Sequence, residues 1–106
     1  MKESQFQKEV IDDLKVRFPG CIVLKNDPSY IQGVPDLTVL HNECWATLEV
    51  KNSATASKRP NQTYYVERMN GMSYSNFIYP EVKERVLDEI QQAFGARGCT
   101  RLPESE

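Results

Sequence analysis

One stretch, Gly33 to Lys51, restricts the fold of this chain more than any other. Two apolar runs, Leu37-Thr38-Val39-Leu40 and Trp45-Ala46-Thr47-Leu48, flank the polar segment His41-Asn42-Glu43-Cys44. Apolar runs of that length around a short polar turn fold back as a β-hairpin, here with a four-residue connection. Side chains alternate along a strand, so Glu49 and Lys51 share one face while Leu48 and Val50 take the other. Asp36 opens the first strand and Glu49 lies near the end of the second. Pairing of the strands then brings two carboxylates close together beside a lysine.

Two carboxylates and the backbone carbonyl of Val50 make a hard oxygen site of the kind that suits Mg²⁺ or Mn²⁺. A metal there lowers the pKa of water and neutralises charge on a phosphodiester approaching its transition state. Lys51 stands beside both and can orient, stabilise or help deprotonate. Taken alone, Glu49-Val50-Lys51 describes an exposed ion pair on an ordinary strand equally well, and such pairs are energetically minor. Pro35-Asp36 at hairpin distance, led by Gly33, separates the two cases.

Pro35-Asp36 followed by Glu49-Val50-Lys51 resembles the PD-(D/E)xK nuclease signature. Gly33-Val34-Pro35-Asp36-Leu37, with Gln62 a short way after the E-x-K, is similar to the VRR-NUC branch in its small stand-alone phage or bacterial form. Glu3 and Gln7 match that branch's E-x-x-x-Q arrangement at the start of an N-terminal helix. The resemblance covers about Glu3 to Gly71. It implies a restriction-endonuclease-like α-β-β-β-α-β core, a metal-dependent nuclease activity and, as in some small relatives, a homodimer acting on branched DNA such as a four-way (Holliday) junction.

Composition narrows the setting. A chain of 106 residues is one domain, able to bury about two-thirds of its unfolded surface without staples. Hydrophobic residues make up 40% and charged residues 26%, as in soluble globular proteins. No apolar run approaches the ~18 residues that span a bilayer. The polar start Met1-Lys2-Glu3-Ser4-Gln5 lacks a signal-peptide core, so a cytoplasmic setting is expected. Cys21, Cys44 and Cys99 are odd in number and widely spaced, which builds neither a disulfide framework nor a zinc site. His41, the sole histidine, is expected as an exposed turn residue. A net charge of −2 is unusual for a nucleic-acid binder, but Lys25, Lys51, Lys58 and Arg59 form a local basic rim available to phosphates.

In chain order, Gln7, Val10, Leu14 and Phe18, with Phe6 and Ile11, predict a helix over Ser4–Phe18 stopped by Pro19-Gly20. Ser4-x-x-Gln7 reads as a capping box that leaves Glu3 just outside. Glu3 is the expected third acid of the site; the alternative is a first-turn acid that favours the helix dipole. Cys21–Lys25 is the first strand and Asn26–Gln32 a loop, with Asn26, Tyr30 and Gln32 candidates for the mouth of the site. After the hairpin, Asn52–Pro60 is a loop carrying Lys58 and Arg59, either phosphate-binding or a plain linker. Asn61 caps a helix to Asn70, closed by Gly71. Gln62, Tyr65, Val66 and Met69 share one face, so Gln62 points inward and needs partners. They are Lys51 and the attacking water, or the backbone.

Ser73–Tyr79 is a fourth strand, and Pro80 opens a last helix with the stripe Val82, Val86, Leu87, Ile90, Ala93 and Phe94, closed by Gly95. The fold class is therefore α/β, a mixed sheet flanked by helices, with a nuclease domain over 1–95 and a loose tail over 96–106. The expected function is Mg²⁺- or Mn²⁺-dependent endonucleolytic hydrolysis of DNA. Asp36, Glu49 and Val50 hold the metal, Glu3 supports it, and Lys51 and Gln62 serve the water. The competing class is a non-catalytic nucleic-acid-binding or scaffold module that keeps the fold; buried like charges argue against it.

Overall fold

The computed structural model describes residues 1–99. Helix α1 spans Glu3–Arg17. It starts one residue earlier than expected because Gln5, rather than Gln7, turns back: its Oε1 accepts from the Lys2 N–H at 3.2 Å. Glu3 therefore lies in the first turn, where negative charge meets free N–H groups. Phe6, Val10, Leu14 and Phe18 are buried along one face.

Strands β1 (Ile22–Lys25), β2 (Leu37–His41), β3 (Cys44–Val50) and β4 (Tyr74–Ile78) form one sheet in that order. The first three pair antiparallel, while β4 runs parallel to β3. A parallel partner needs a crossover, and helix α2 (Pro60–Asn70) supplies it. A single 3₁₀ turn at Pro80–Val82 then leads into helix α3 (Lys83–Ala96). The fold is the expected mixed sheet flanked by helices, with an α-β-β-β-α-β core and a C-terminal helix.

The two sheet faces differ. Leu37, Val39, Ala46, Leu48, Val50 and Ile78 face α1 and α3, and with their apolar stripes make the main core. Thr47 lies on the other face under α2: its hydroxyl bonds Ser75 Oγ at 2.7 Å and meets Met69 Sδ at 3.5 Å. Helix α2 covers only the β3–β4 half of that face. Ile22, Leu24 and Leu40 on the β1–β2 half stay 57%, 45% and 37% exposed.

Several expectations need correction. The hairpin turn has two residues, not four: His41 pairs with Cys44, and Asn42 takes φ 56°, a left-handed conformation asparagine tolerates. His41 is not an exposed turn residue. Its ring is half-buried, stacked 6.2 Å from Phe94 and tilted against Phe18 at 5.6 Å, because the longer ladder carries it back over the core. Asn61 does not cap α2. Pro60 takes the first helical position, which its fixed φ favours, and Arg59 is the cap.

The cysteine expectation also fails, since Cys44 and Cys99 form a disulfide across 55 residues. Nothing in the sequence marks this pairing; helix α3 returns the chain to the hairpin end, where Asn42 Nδ2 also donates to the Cys99 carbonyl at 2.7 Å. Of the segment expected as a loose tail, Ala96 ends α3 and Cys99 is buried and bonded; 100–106 lie outside the described residues.

Candidate active site

Strand alternation on β3 sends Leu48 and Val50 into the main core and Thr47, Glu49 and Lys51 toward α2. Lys51 stays in register just beyond the strand, its N–H donating to the Ile78 carbonyl at 2.9 Å. Asp36 comes from the residue before β2, and the Leu37–Leu48 pairing sets it opposite Glu49. Asn26 holds that entry in place. Its amide bonds the Pro35 carbonyl at 2.9 Å and Thr38 Oγ1 at 2.8 Å, and its N–H bonds the Asp36 carbonyl at 2.8 Å. Asn26 was a candidate for the mouth; it is an anchor beneath it.

Gln62 ties the acids to the lysine. Its Oε1 accepts from Lys51 Nζ at 2.7 Å and from the Arg59 N–H at 3.1 Å, and its Nε2 donates to Glu49 Oε2 at 2.9 Å. Both partners foreseen for it, lysine and backbone, are thus engaged at once. The neighbours also fix the amide orientation, because the oxygen must face two donors and the nitrogen a carboxylate. Lys51 Nζ lies 3.8 Å from Glu49 Oε2, with both residues almost wholly buried.

Asp36 Oδ2 accepts the Val50 N–H at 2.8 Å. Glu49 Oε1 is different: it is buried with no hydrogen-bond partner. Burial, then the facing Asp36 charge, push the Glu49 carboxyl up to about 8, against the pull of Lys51. Asp36 is also raised by burial, opposed by the Val50 N–H. Two facing acceptors can be satisfied by a shared proton or by a cation. The donor set therefore fits a hard divalent ion: two carboxylates, one with an orphaned oxygen, beside the Val50 peptide.

The remaining expected residues sit around this pair. Glu3 is exposed at the start of α1, on the far side of the sheet from α2, and its charge is the least of the effects on Glu49. Among the described residues no three His, Cys, Asp or Glu side chains gather, so Glu3 does not join Asp36 and Glu49 in one cluster. Lys25 pairs with Leu37, so its side chain leaves the α1 face of the sheet, opposite the face that carries Glu49 and Lys51. Lys58 Nζ stands 4.5 Å over the ring of Phe77, the residue paired with Glu49. Arg59 lines a cavity of about 580 Å³ with Asp36, Glu49 and Gln62.

That cavity is where sequence reasoning fell short. Gln32 lines it as foreseen, but Tyr30 lies against a neighbouring hollow. Pro28, Val34, Pro60 and Asn61 complete its walls. The one signal for them was Gly33. At φ 93° it passes so close to α2 that a Cβ on it would meet Asn61 Cβ at 2.5 Å.

Fold and site together define a mixed-sheet α/β domain with paired acids and a lysine at the hairpin end. A solved VRR_NUC domain superposes with a TM-score of 0.65 over 87% of this chain and 96% of that chain, at 24% identity. The chain thus has the fold of that domain. No family model and no curated protein matches it. No helix among the described residues is long and apolar enough to cross a membrane.

Proposed function

We propose that this chain is a Mg²⁺- or Mn²⁺-dependent endonuclease that hydrolyses phosphodiester bonds in DNA. The observation that carries this is the orphaned Glu49 Oε1, buried against Asp36 within a network that also holds Lys51. A module that only binds or scaffolds has no need of such an arrangement. Asp36, Glu49 and the Val50 carbonyl would hold the ion, with Glu3 as an outer charge. Bound there, a divalent cation supplies Lewis acidity and neutralises phosphate charge.

The protein's own groups do the rest. Gln62 clamps Lys51 so that its ammonium is held at the acids instead of swinging into solvent. From there it stabilises negative charge developing on the phosphoryl oxygens and orients the attacking water. Lys58 and Arg59 take backbone phosphates beside the acids. The preferred substrate in this scheme is branched DNA, cut by a homodimer whose two-fold axis matches that of a four-way junction.

The test is cleavage of linear, flapped and four-way substrates in Mg²⁺ and in Mn²⁺, alongside thermal melts. Ion-dependent cleavage with a raised melting temperature is expected. Melts that ignore both ions, with no cleavage, would leave the non-catalytic module as the better description.

A further inference from the structure

We propose, resting on that nuclease reading, that the cavity beside Asp36 and Glu49 receives one unstacked nucleobase, so that the bond cut adjoins an unpaired nucleotide. At about 580 Å³ it is a concave site, within the roughly 300–1,000 Å³ range of small-ligand pockets. A surface that only grips duplex backbone is shallow and strongly basic. Here Arg59 is the one cation among the lining residues, and the floor is acidic. A phosphate belongs at that floor only with a counter-ion, and the rest of the volume suits an uncharged group.

The walls match a base. Pro28, Val34 and Pro60 present apolar surface, against which the flat face of a base loses water. Gln32 and Asn61 stand at the rim with exposed amides. Neither amide is engaged by another described residue, so each offers a donor and an acceptor to a base edge. Gly33 keeps the two walls together. Its backbone touches Asn61, an approach that any side chain would block. The loop before β2 and the first turn of α2 thereby form the two facing walls of a half-open slot. Extruding a paired base carries an unstacking penalty that an unpaired base largely avoids. The slot therefore selects for bulges, flaps and junction points over fully paired duplex.

The experiment compares three strands in matched duplexes: fully paired, with a one-nucleotide bulge, and with an abasic residue at the bulge. A 2-aminopurine at the bulge reports base position in Ca²⁺ and in chelator, before any cleavage is scored. Binding is expected to change its fluorescence several-fold, and Val34→Trp, which fills the slot, is expected to abolish that change. In Mg²⁺ or Mn²⁺ the bulge should be cut roughly tenfold faster than its abasic counterpart, the worth of one stacked base. Should Val34→Trp not fold, the exposed pair Gln32→Ala with Asn61→Ala serves instead and should shrink both differences. Equal cleavage of base and abasic strands, with a flat 2-aminopurine signal, overturns the slot and leaves the nuclease intact. A fluorescence change without cleavage in either ion keeps the slot and removes the nuclease reading.

Discussion

Gln62 sits on the first turn of α2, yet its amide decides how Glu49 and Lys51, 13 and 11 residues earlier in the chain, face each other. In the proposed mechanism the lysine acts on the transition state while the acids hold the ion, so the two can be separated by substitution. Lys51→Ala is expected to lower cleavage by about 10²- to 10³-fold while the Mg²⁺-induced rise in melting temperature survives. Parental cleavage rates in the purified variant would take Lys51 out of the mechanism. Glu49 makes the complementary case. Its carboxyl, ordinarily at 4.5, is raised to about 8 in the fold. The native state thus holds a proton that the unfolded chain has released, and stability falls as pH rises across that window. Metal-free melts should drop between those two pH values. Glu49→Gln should flatten the slope, melt higher than the parent near pH 8, and lose the response to Mg²⁺. A parental slope in the variant would place the titrating group elsewhere.

At the scale of elements, ion pairs tie α1 to α3, and a disulfide ties the chain after α3 to β3. Lys83 of α3 bonds Glu9 at 2.9 Å and Asp13 at 2.6 Å on α1, and Arg17 reaches Glu84 and Asp88. The carboxylates raise the Lys83 ammonium above its usual range. Ion pairs this near the surface contribute little each, so the packing of α1 on α3 rests mainly on the buried stripes. The Cys44–Cys99 bond is worth more. Closing a loop of 55 residues stabilises by about 2–4 kcal/mol. Reduction with dithiothreitol should lower the melting temperature of the metal-free protein by several degrees. It should leave the Mg²⁺ shift intact, because Cys44 begins β3 and Glu49 lies near its far end. A shift lost on reduction would mean that the hairpin end and the acids are coupled.

For the whole molecule, the question is which surface remains for a second copy. The apolar residues of β4 and of the α3 stripe leave little for it, because the core consumes them: Ile78, Val86, Ile90 and Phe94 are fully buried. What stays uncovered is the β1–β2 half of the α2 face, with Ile22 opposite Leu40 and Leu24 two residues on. An exposed apolar edge of this kind favours pairing. If the proposed homodimer uses it, Leu24→Lys with Leu40→Lys should convert a dimer to a monomer in sedimentation at micromolar concentration. A parental protein that already sediments as a monomer would rule the dimer out.

Much of this molecule was legible in its residues because the information was local. Alternation alone placed Glu49 and Lys51 on one face and Leu48 on the other, and a 3.6-residue period marked α1, α2 and α3. Hairpin geometry joined Asp36 to Glu49, since a short turn leaves strands little choice of partner. Gln62 was recognised as inward-facing from its helix face. What the sequence left open depended on distances between segments far apart in the chain. Cys44 and Cys99 carry no mark of their pairing until α3 returns to the hairpin. Whether Glu3 joins the acids depends on which side of the sheet α1 packs. The cavity needs a loop and a helix to touch at Gly33, and only the packed fold decides such a contact.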